Sequence, residues 1–214
     1  MATASVARRK PLPKLAWLQP AVLVGSLMPL AVILFKGLTG RLGANPIATA
    51  MNQLGLLALI FLIASLFCSP LKVLFGWKWP LKVRKTLGLL GFFTAVTHFS
   101  VWLVLDQGLT VQGALGDIVS RPFILVGFVA LMLLVPLART STQKALKEMG
   151  FGAWKRLHRL VYVATALGVV HFFLRVKVDV TEPLIYGAVF ALLMAVRFYD
   201  HRRKLKRARS TLSL

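Results

Sequence analysis

The chain has 214 residues, of which 57% are hydrophobic and only 15% charged, and its mean hydropathy is +0.75. These values exclude an ordinary soluble domain. The formal net charge of +21 would suit a nucleic-acid-binding protein. However, the basic residues are sorted among the connections between apolar segments, which is typical of a polytopic membrane protein. We therefore expect anionic lipid headgroups, and no nucleic acid, as the partner of the basic surface.

Six apolar segments predict an all-α membrane protein, a bundle of six transmembrane helices. In chain order the predicted helices cover about 17–35, 47–67, 87–105, 122–138, 158–174 and 183–199. The fifth reaches across a bilayer of about 30 Å only if His158 and its neighbours belong to it. We predict a single transmembrane domain over 1–214, in which 200–214 form a basic cytoplasmic tail.

The distribution of Lys and Arg predicts the orientation of the chain. Before the first helix stand Arg8, Arg9, Lys10 and Lys14. The side opposite the termini retains only Lys36, Arg41, Arg121, Arg175 and Lys177. By the positive-inside rule, both termini are predicted to be cytoplasmic, and the first helix is predicted to be retained rather than cleaved.

Two connections on the predicted cytoplasmic side have their own patterns. Residues 68–80 are predicted to be a loop along the membrane surface, because Trp77 and Trp79 suit the headgroup layer. Residues 140–149 have a helix-start signature and alternate basic with apolar positions. They predict a short amphipathic surface helix, ended by Gly150 and Gly152.

Two histidines lie near the outer ends of predicted helices. His98 is seven residues from the end of the third helix, and His171 is three residues from the end of the fifth. An ionisable ring at membrane depth needs a partner, and the natural partner of paired imidazoles is a haem iron. We predict that both rings are axial ligands of one haem, each with its second nitrogen held by Thr94 or a carbonyl. The alternative is that the two rings only hydrogen-bond between helices.

Three further residues are predicted to complete this haem site. Gly91 and Gly168 share helix faces with His98 and His171, so they are expected to leave room for a flat macrocycle. Arg175, one turn beyond His171, is expected to pair with a haem propionate.

His158 is the third candidate metal ligand, at the inner end of the fifth helix. It precedes His171 by thirteen residues, about 20 Å along a helix, a separation that suits a second redox centre. On a straight helix, however, the two rings point in different directions. A cluster of Arg84, Lys85 and His158 suits a propionate, a flavin phosphate or a quinone oxygen. Alternatively, His158 is an interfacial ring hydrated by headgroups, and His201 is expected to be a surface residue of the tail.

Several short motifs follow one another along the chain. They are GANP from Gly43, RKTLGL from Arg84, TH at Thr97, SRPF from Ser120, TSTQ from Thr140, WKRLHRLVY from Trp154, the His171 site and PLIYG from Pro183. In this order they resemble the MsrQ family, also called YedZ. This family is the haem-containing membrane subunit of the bacterial periplasmic methionine sulfoxide reductase system, related to the transmembrane part of ferric reductases and NADPH oxidases.

The resemblance implies a ferric-reductase-like fold in the bacterial inner membrane. It implies one or two b-type haems with ligands drawn from His98, His158 and His171, and a bound flavin mononucleotide, FMN. It also implies electron delivery from the quinone pool or a cytosolic flavin reductase to a periplasmic molybdopterin reductase, MsrP, which repairs oxidised envelope proteins. The chain is then a redox subunit of an oxidoreductase system rather than its catalytic subunit, with no catalytic residue of its own.

Two other classes of function remain open at this stage. Membrane histidines can relay protons in a transporter or channel, although such pathways typically use carboxylates, and the predicted helix cores have none. A cofactor-free membrane anchor that recruits a partner through its loops is the other alternative.

Overall fold

A computed structural model describes residue 15 and residues 17–212, with side chains through residue 206. The basic residues predicted to lead the first helix, Arg8, Arg9, Lys10 and Lys14, lie outside the described residues. Throughout the described part the regular structure is helical, without a β-strand. The α-helices are α1 (Leu18–Leu38), α2 (Pro46–Phe75), α3 (Pro80–Val101), α4 (Val111–Ser120), α5 (Pro122–Arg139), α6 (Gln143–Leu157), α7 (Leu160–Arg175) and α8 (Thr181–Leu212).

The all-α membrane fold predicted from the apolar segments is confirmed. Five described helices are long and apolar enough to cross a membrane by themselves: α1, α2, α3 with its extension, α5 and α8. Helix α7 has 16 residues and reaches only about 24 Å. It completes a sixth span only together with α6, which meets it at a 40° bend next to His158.

Helix α2 is the centre of the bundle, because it contributes to three of four buried apolar clusters. Leu59, Ile63 and Leu66 pack against Leu193 of α8. Leu62, one residue before Ile63, packs between α5 and α7. Most of the apolar surface of α1, in contrast, stays exposed, as expected for a helix that faces lipid.

Local sequence explains where α2 begins and ends. Asn45 caps the first turn by accepting a hydrogen bond from the Ala48 amide, and Pro46 occupies the first helical position. The helix ends at Gly76, which has the left-handed conformation (φ 72°) that favours glycine. The predicted surface loop over 68–80 is therefore too long: the helix continues through Pro70 to Phe75, and only 76–79 connect α2 to α3.

The predicted surface helix over 140–149 is also corrected. Its cap is Thr142, whose hydroxyl accepts from the Ala145 amide, so the helix begins at Gln143. Gly150 interrupts it as predicted, with φ 73° and ψ 150°. The chain then resumes a helical path through Gly152 to Leu157. Gly152 has a helical backbone, so it does not end the helix as predicted.

Two elements between α3 and α5 were not predicted. Helix α3 passes into a π-helical turn at Trp102–Asp106. Helix α4 then buries Ala114 and Ile118 against Trp102. The apolar residues at 111, 114, 115 and 118 follow the i, i+3, i+4, i+7 pattern that indicates an amphipathic helix.

Candidate functional site

A cavity of about 370 Å³ lies among α2, α3, α5 and α7 and is lined by both His98 and His171. We refer to it as the outer cavity, since it lies near the helix ends predicted to face outward. The two imidazole rings are partly buried, their centroids are 6.2 Å apart, and their planes are inclined by 80°. The structure therefore brings together the two histidines that were predicted to share one site.

Each imidazole is held by a backbone carbonyl of the neighbouring helix. His98 Nδ1 lies 2.9 Å from the Met51 oxygen in α2, and His171 Nδ1 lies 2.6 Å from the Phe123 oxygen in α5. A carbonyl can only accept a hydrogen bond, so Nδ1 carries the proton in both rings. Nε2 is left with its lone pair, which is the form that binds a metal.

Of the two acceptors considered for this role, the carbonyl is the one observed. The hydroxyl oxygen of Thr94 is buried without a hydrogen-bond partner among the described residues, so it does not hold the His98 ring.

The distance between the rings fits two ligands on opposite sides of one metal ion. A metal–imidazole bond of about 2.0 to 2.1 Å, plus about 1.1 Å from the nitrogen to the ring centre, gives centroids about 6.2 to 6.4 Å apart. The observed value is 6.2 Å. Among the described residues, no three His, Cys, Asp or Glu side chains are placed to bind one metal. Haem iron needs only two protein ligands, since the porphyrin supplies the other four nitrogens.

The glycines of the outer cavity differ from those predicted. Gly168 lines the cavity. Gly91 does not: a Cβ there would lie 2.9 Å from the Leu62 side chain, so this glycine permits close packing of α3 on α2. The prediction that Gly91 leaves room for a macrocycle is corrected accordingly. The glycines that face the imidazoles are Gly55 and Gly127, which line the same cavity.

Charged residues gather where the helices around the outer cavity end. Arg175, the last residue of α7, lines the cavity together with Arg121 and Asp106. Arg121 also pairs with Asp117 at 3.3 Å. Arg175 has no hydrogen-bond or ion-pair partner among the described residues. Its guanidinium is therefore free to bind an anionic group such as a propionate.

A second cavity of about 590 Å³ lies toward the other end of the bundle, and we call it the inner cavity. Its basic lining residues are Arg84, Lys85, Lys155, His158, Arg159 and Arg197. No carboxylate of the described residues lines it. Such a cavity suits an anionic ligand.

His158 lies in the inner cavity and is not brought together with His98 or His171. Its ring stacks on Trp154 with centroids 3.9 Å apart, and its Nε2 lies 3.1 Å from the Thr140 hydroxyl. The Trp154 indole donates to the Thr140 carbonyl at 2.9 Å, which fixes the stack. No second histidine lines this cavity among the described residues.

The sequence analysis did not single out Arg197, which lies near the end of the predicted last helix. In the structure Arg197 points into the bundle, where it donates hydrogen bonds to the Tyr162 hydroxyl and the Leu66 carbonyl. Its Nε is buried without a partner among the described residues. The signal was present in the sequence, since Arg197 falls inside the last apolar segment rather than after it.

The fold and the outer cavity define a class: helical membrane proteins in which histidines from two helices converge on one cavity suited to a haem. A family model described as "Ferric reductase like transmembrane component" matches residues 49–169. The chain is also 44% identical to curated proteins from Deinococcus radiodurans, Rhodospirillum rubrum and Brucella anthropi. The alignments cover 94%, 89% and 89% of this chain and 98%, 91% and 84% of those proteins, respectively.

Each of these three relatives is named protein-methionine-sulfoxide reductase heme-binding subunit MsrQ. With this identity over most of both chains, the protein belongs to the MsrQ family of ferric-reductase-like membrane proteins.

Proposed function

We propose that this protein is a b-type haem electron-transfer subunit, in which His98 and His171 would hold one haem. The observation that carries the proposal is the pair of imidazoles with centroids 6.2 Å apart, each fixed by a carbonyl so that Nε2 keeps its lone pair. The haem-binding function given in the names of the relatives supports it.

The contribution of the protein is to hold and tune the site. A bis-imidazole haem supplies one-electron transfer when bound. The Met51 and Phe123 carbonyls orient the two rings and raise their basicity through the Nδ1–H hydrogen bonds. Buried apolar side chains such as Leu59 and Ala164 exclude water from the cavity. Arg175 supplies a positive charge for a propionate, and Gly168 leaves space for the flat ring.

The proposed orientation places both termini in the cytoplasm and the outer cavity toward the periplasm of a bacterial inner membrane. The excess of basic residues at the end of the bundle that contains the inner cavity supports this orientation. Those exposed basic residues would also contact anionic lipids.

We propose that the inner cavity is where electrons enter and that FMN binds there through its phosphate. Arg84 and Lys85, the residues predicted for this role, line it, and Arg197 adds a third cation. Among the described residues, the one histidine that lines this cavity is His158, which favours an anionic cofactor over a second haem. His158, stacked on Trp154, would then be part of a binding surface for a flat ring rather than a metal ligand.

In the proposed pathway, electrons come from the quinone pool or a cytosolic flavin reductase and leave for a periplasmic molybdopterin reductase, MsrP. The relatives' names, which refer to methionine sulfoxide reductase, support a partner of this kind. The outer ends of α3, α5 and α7 would dock the partner, since they border the outer cavity.

The experiment that tests the proposal is a measurement of haem, iron and flavin in one purified preparation, with a reduced-minus-oxidised spectrum. We expect one low-spin b-type haem per chain, and flavin released on denaturation. Colourless protein, prepared with adequate haem supply, would contradict the proposal and favour a histidine-dependent transporter or a cofactor-free anchor. Flavin loss in the double variant R84Q/K85Q, with haem retained, is expected if the inner cavity holds FMN.

A further inference from the structure

The two histidines are seated in the same way on two different helices. His98 of α3 hydrogen-bonds to the carbonyl of Met51 in α2, and the residue four positions later in α2 is Gly55. A Cβ on Gly55 would lie 3.2 Å from Cε1 and 3.3 Å from Nδ1 of the His98 ring. These contacts are tighter than ordinary van der Waals separation, so glycine is what allows the ring to rest against the helix backbone.

The arrangement around His171 is the same. His171 of α7 hydrogen-bonds to the carbonyl of Phe123 in α5, and the residue four positions later in α5 is Gly127. A Cβ on Gly127 would lie 2.6 Å from Nδ1, 2.8 Å from Cε1 and 3.1 Å from Cγ of His171. Because Cγ lies on the axis about which the imidazole turns, rotation of the ring would leave the 3.1 Å contact in place.

The four-residue spacing has a simple cause. In an α-helix the amide of residue i+4 donates to the carbonyl of residue i, so the i+4 side chain stands beside that carbonyl. A carbonyl oxygen has two lone pairs and accepts both the helical amide and an incoming imidazole N–H. At both positions a side chain at i+4 would crowd the imidazole, severely at Gly127 and mildly at Gly55, and glycine has none.

Resting on the proposed haem ligation, we infer that Gly55 and Gly127 are positioning residues: each forms, with the carbonyl one turn earlier, a seat that fixes the tautomer and the plane of one axial imidazole. The two seats together hold the ring planes at 80° to each other.

Near-perpendicular axial rings leave the two iron d-orbitals that interact with their π-systems almost equal in energy. Ferric haem with such ligands has a strongly anisotropic low-spin signal with one large g-value, whereas near-parallel rings give a rhombic signal.

The two seats also affect the reduction potential of the haem. An imidazole that donates from Nδ1 to a carbonyl is a more basic ligand and stabilises ferric iron. Alanine at Gly127 forces His171 away from the Phe123 carbonyl, which weakens that hydrogen bond and turns the ring. Alanine at Gly55 requires a displacement of only a few tenths of an ångström, so a smaller change in the same direction is expected.

The test compares G127A and G55A with a matched control, G187A. Gly187 lies within the spanning helix α8 and lines neither cavity, and a Cβ there would make an ordinary 3.5 Å contact with Val169. The measurements are low-temperature electron paramagnetic resonance of the ferric protein and a redox titration of the haem, both on purified full-length protein with haem content determined.

We expect a single large g-value for the wild type and G187A. For G127A we expect a smaller largest g-value, a more rhombic signal and a higher midpoint potential of the haem. For G55A we expect values between those of G127A and the wild type. If the G127A protein does not accumulate, the comparison of G55A with the wild type and G187A decides the test. Signals and potentials equal in haem-loaded wild type, G55A and G127A would overturn the inference, as would a rhombic wild-type signal. Wild-type protein without haem would instead overturn the proposed function on which the inference rests.

Discussion

Arg197 Nη1 donates a hydrogen bond of 2.8 Å to the Tyr162 hydroxyl, and the guanidinium carbon lies 5.1 Å from the centroid of the same tyrosine ring. The contact joins α8 to α7 beside the inner cavity. The other terminal nitrogen donates to the Leu66 carbonyl of α2. One arginine thus links three helices around the cavity, and its Nε has no hydrogen-bond partner in the part of the chain that the structure describes.

Substitution R197Q is expected to weaken flavin retention and to lower thermal stability. It removes a positive charge from the cavity and two charge-assisted hydrogen bonds, each of about 1.5 to 3 kcal/mol. The flavin-to-protein ratio and the unfolding midpoint in detergent are the measurements. Y162F is the matched control, since it removes one of the two bonds and keeps the charge: it should cost less stability and retain flavin. Equal flavin loss in both variants would show that the charge of Arg197 is not what holds the ligand.

Substitutions H98A and H171A should each remove most of the bound haem, because a single imidazole leaves the iron without its second axial ligand. H158A should retain the haem and alter only ligand binding in the inner cavity. The checks are haem per chain and the reduced-minus-oxidised spectrum, with H201A as the surface control, since His201 is exposed in α8. Haem content unchanged in H98A would contradict the ligand assignment.

R175Q should lower the midpoint potential of the haem. Reduction adds negative charge at the iron, and a nearby guanidinium stabilises that state, so its loss favours the ferric form. A redox titration against the wild type measures the shift. A potential that stays the same or rises would argue against a position of Arg175 beside the haem.

G91A should destabilise the protein by about 1 to 3 kcal/mol through overpacking. Its Cβ would meet two Leu62 carbon atoms at 2.9 Å and the Leu62 backbone nitrogen at 3.3 Å, so the side chain cannot simply rotate away. Thermal unfolding of G91A and G187A, both glycines in spanning helices, provides the comparison. The interpretation of Gly91 as a packing residue fails if the two variants unfold at the same temperature.

The last prediction concerns the break in α6. Gly150 has φ 73° and ψ 150°, a region that only glycine adopts readily, so G150A should cost about 1 to 3 kcal/mol. Gly152, two residues later, is helical with open space around it, so G152A should be neutral or slightly stabilising. The free energy of unfolding of both variants tests this. A similar cost for G152A would indicate that side-chain crowding, rather than backbone conformation, explains the glycine at 150.

The helices and the two facing histidines could be predicted from the sequence, because apolar length and a costly ionisable ring are properties of single segments. The partners of those rings could not. Gly55 and Gly127 become meaningful only when α3 is known to pack on α2 and α7 on α5, and no periodicity encodes those pairings. Gly91 illustrates the same limit. Its role beside the macrocycle was predicted because it shares a helix face with His98, but Leu62 of α2 occupies the space that Gly91 faces.

The ends of the helices were difficult to predict for a different reason. Pro70 falls in the predicted loop over 68–80 and Gly152 was predicted to end a helix, yet both lie within helices, since tertiary packing and neighbouring turns outweigh local propensity. Helix α4 has a readable apolar pattern, but its ten residues are too few to span a bilayer, so the apolar length that predicts spanning helices does not indicate it.

Leu62 and Leu134 line both cavities and are almost fully buried. The two cavities therefore share part of their wall, to which neither leucine contributes a hydroxyl, amide or carboxylate. An electron can tunnel through such a wall, whereas a proton requires a chain of hydrogen-bonding groups to hop along. At this shared wall, the two leucines thus leave a path for an electron and supply no group that could carry a proton.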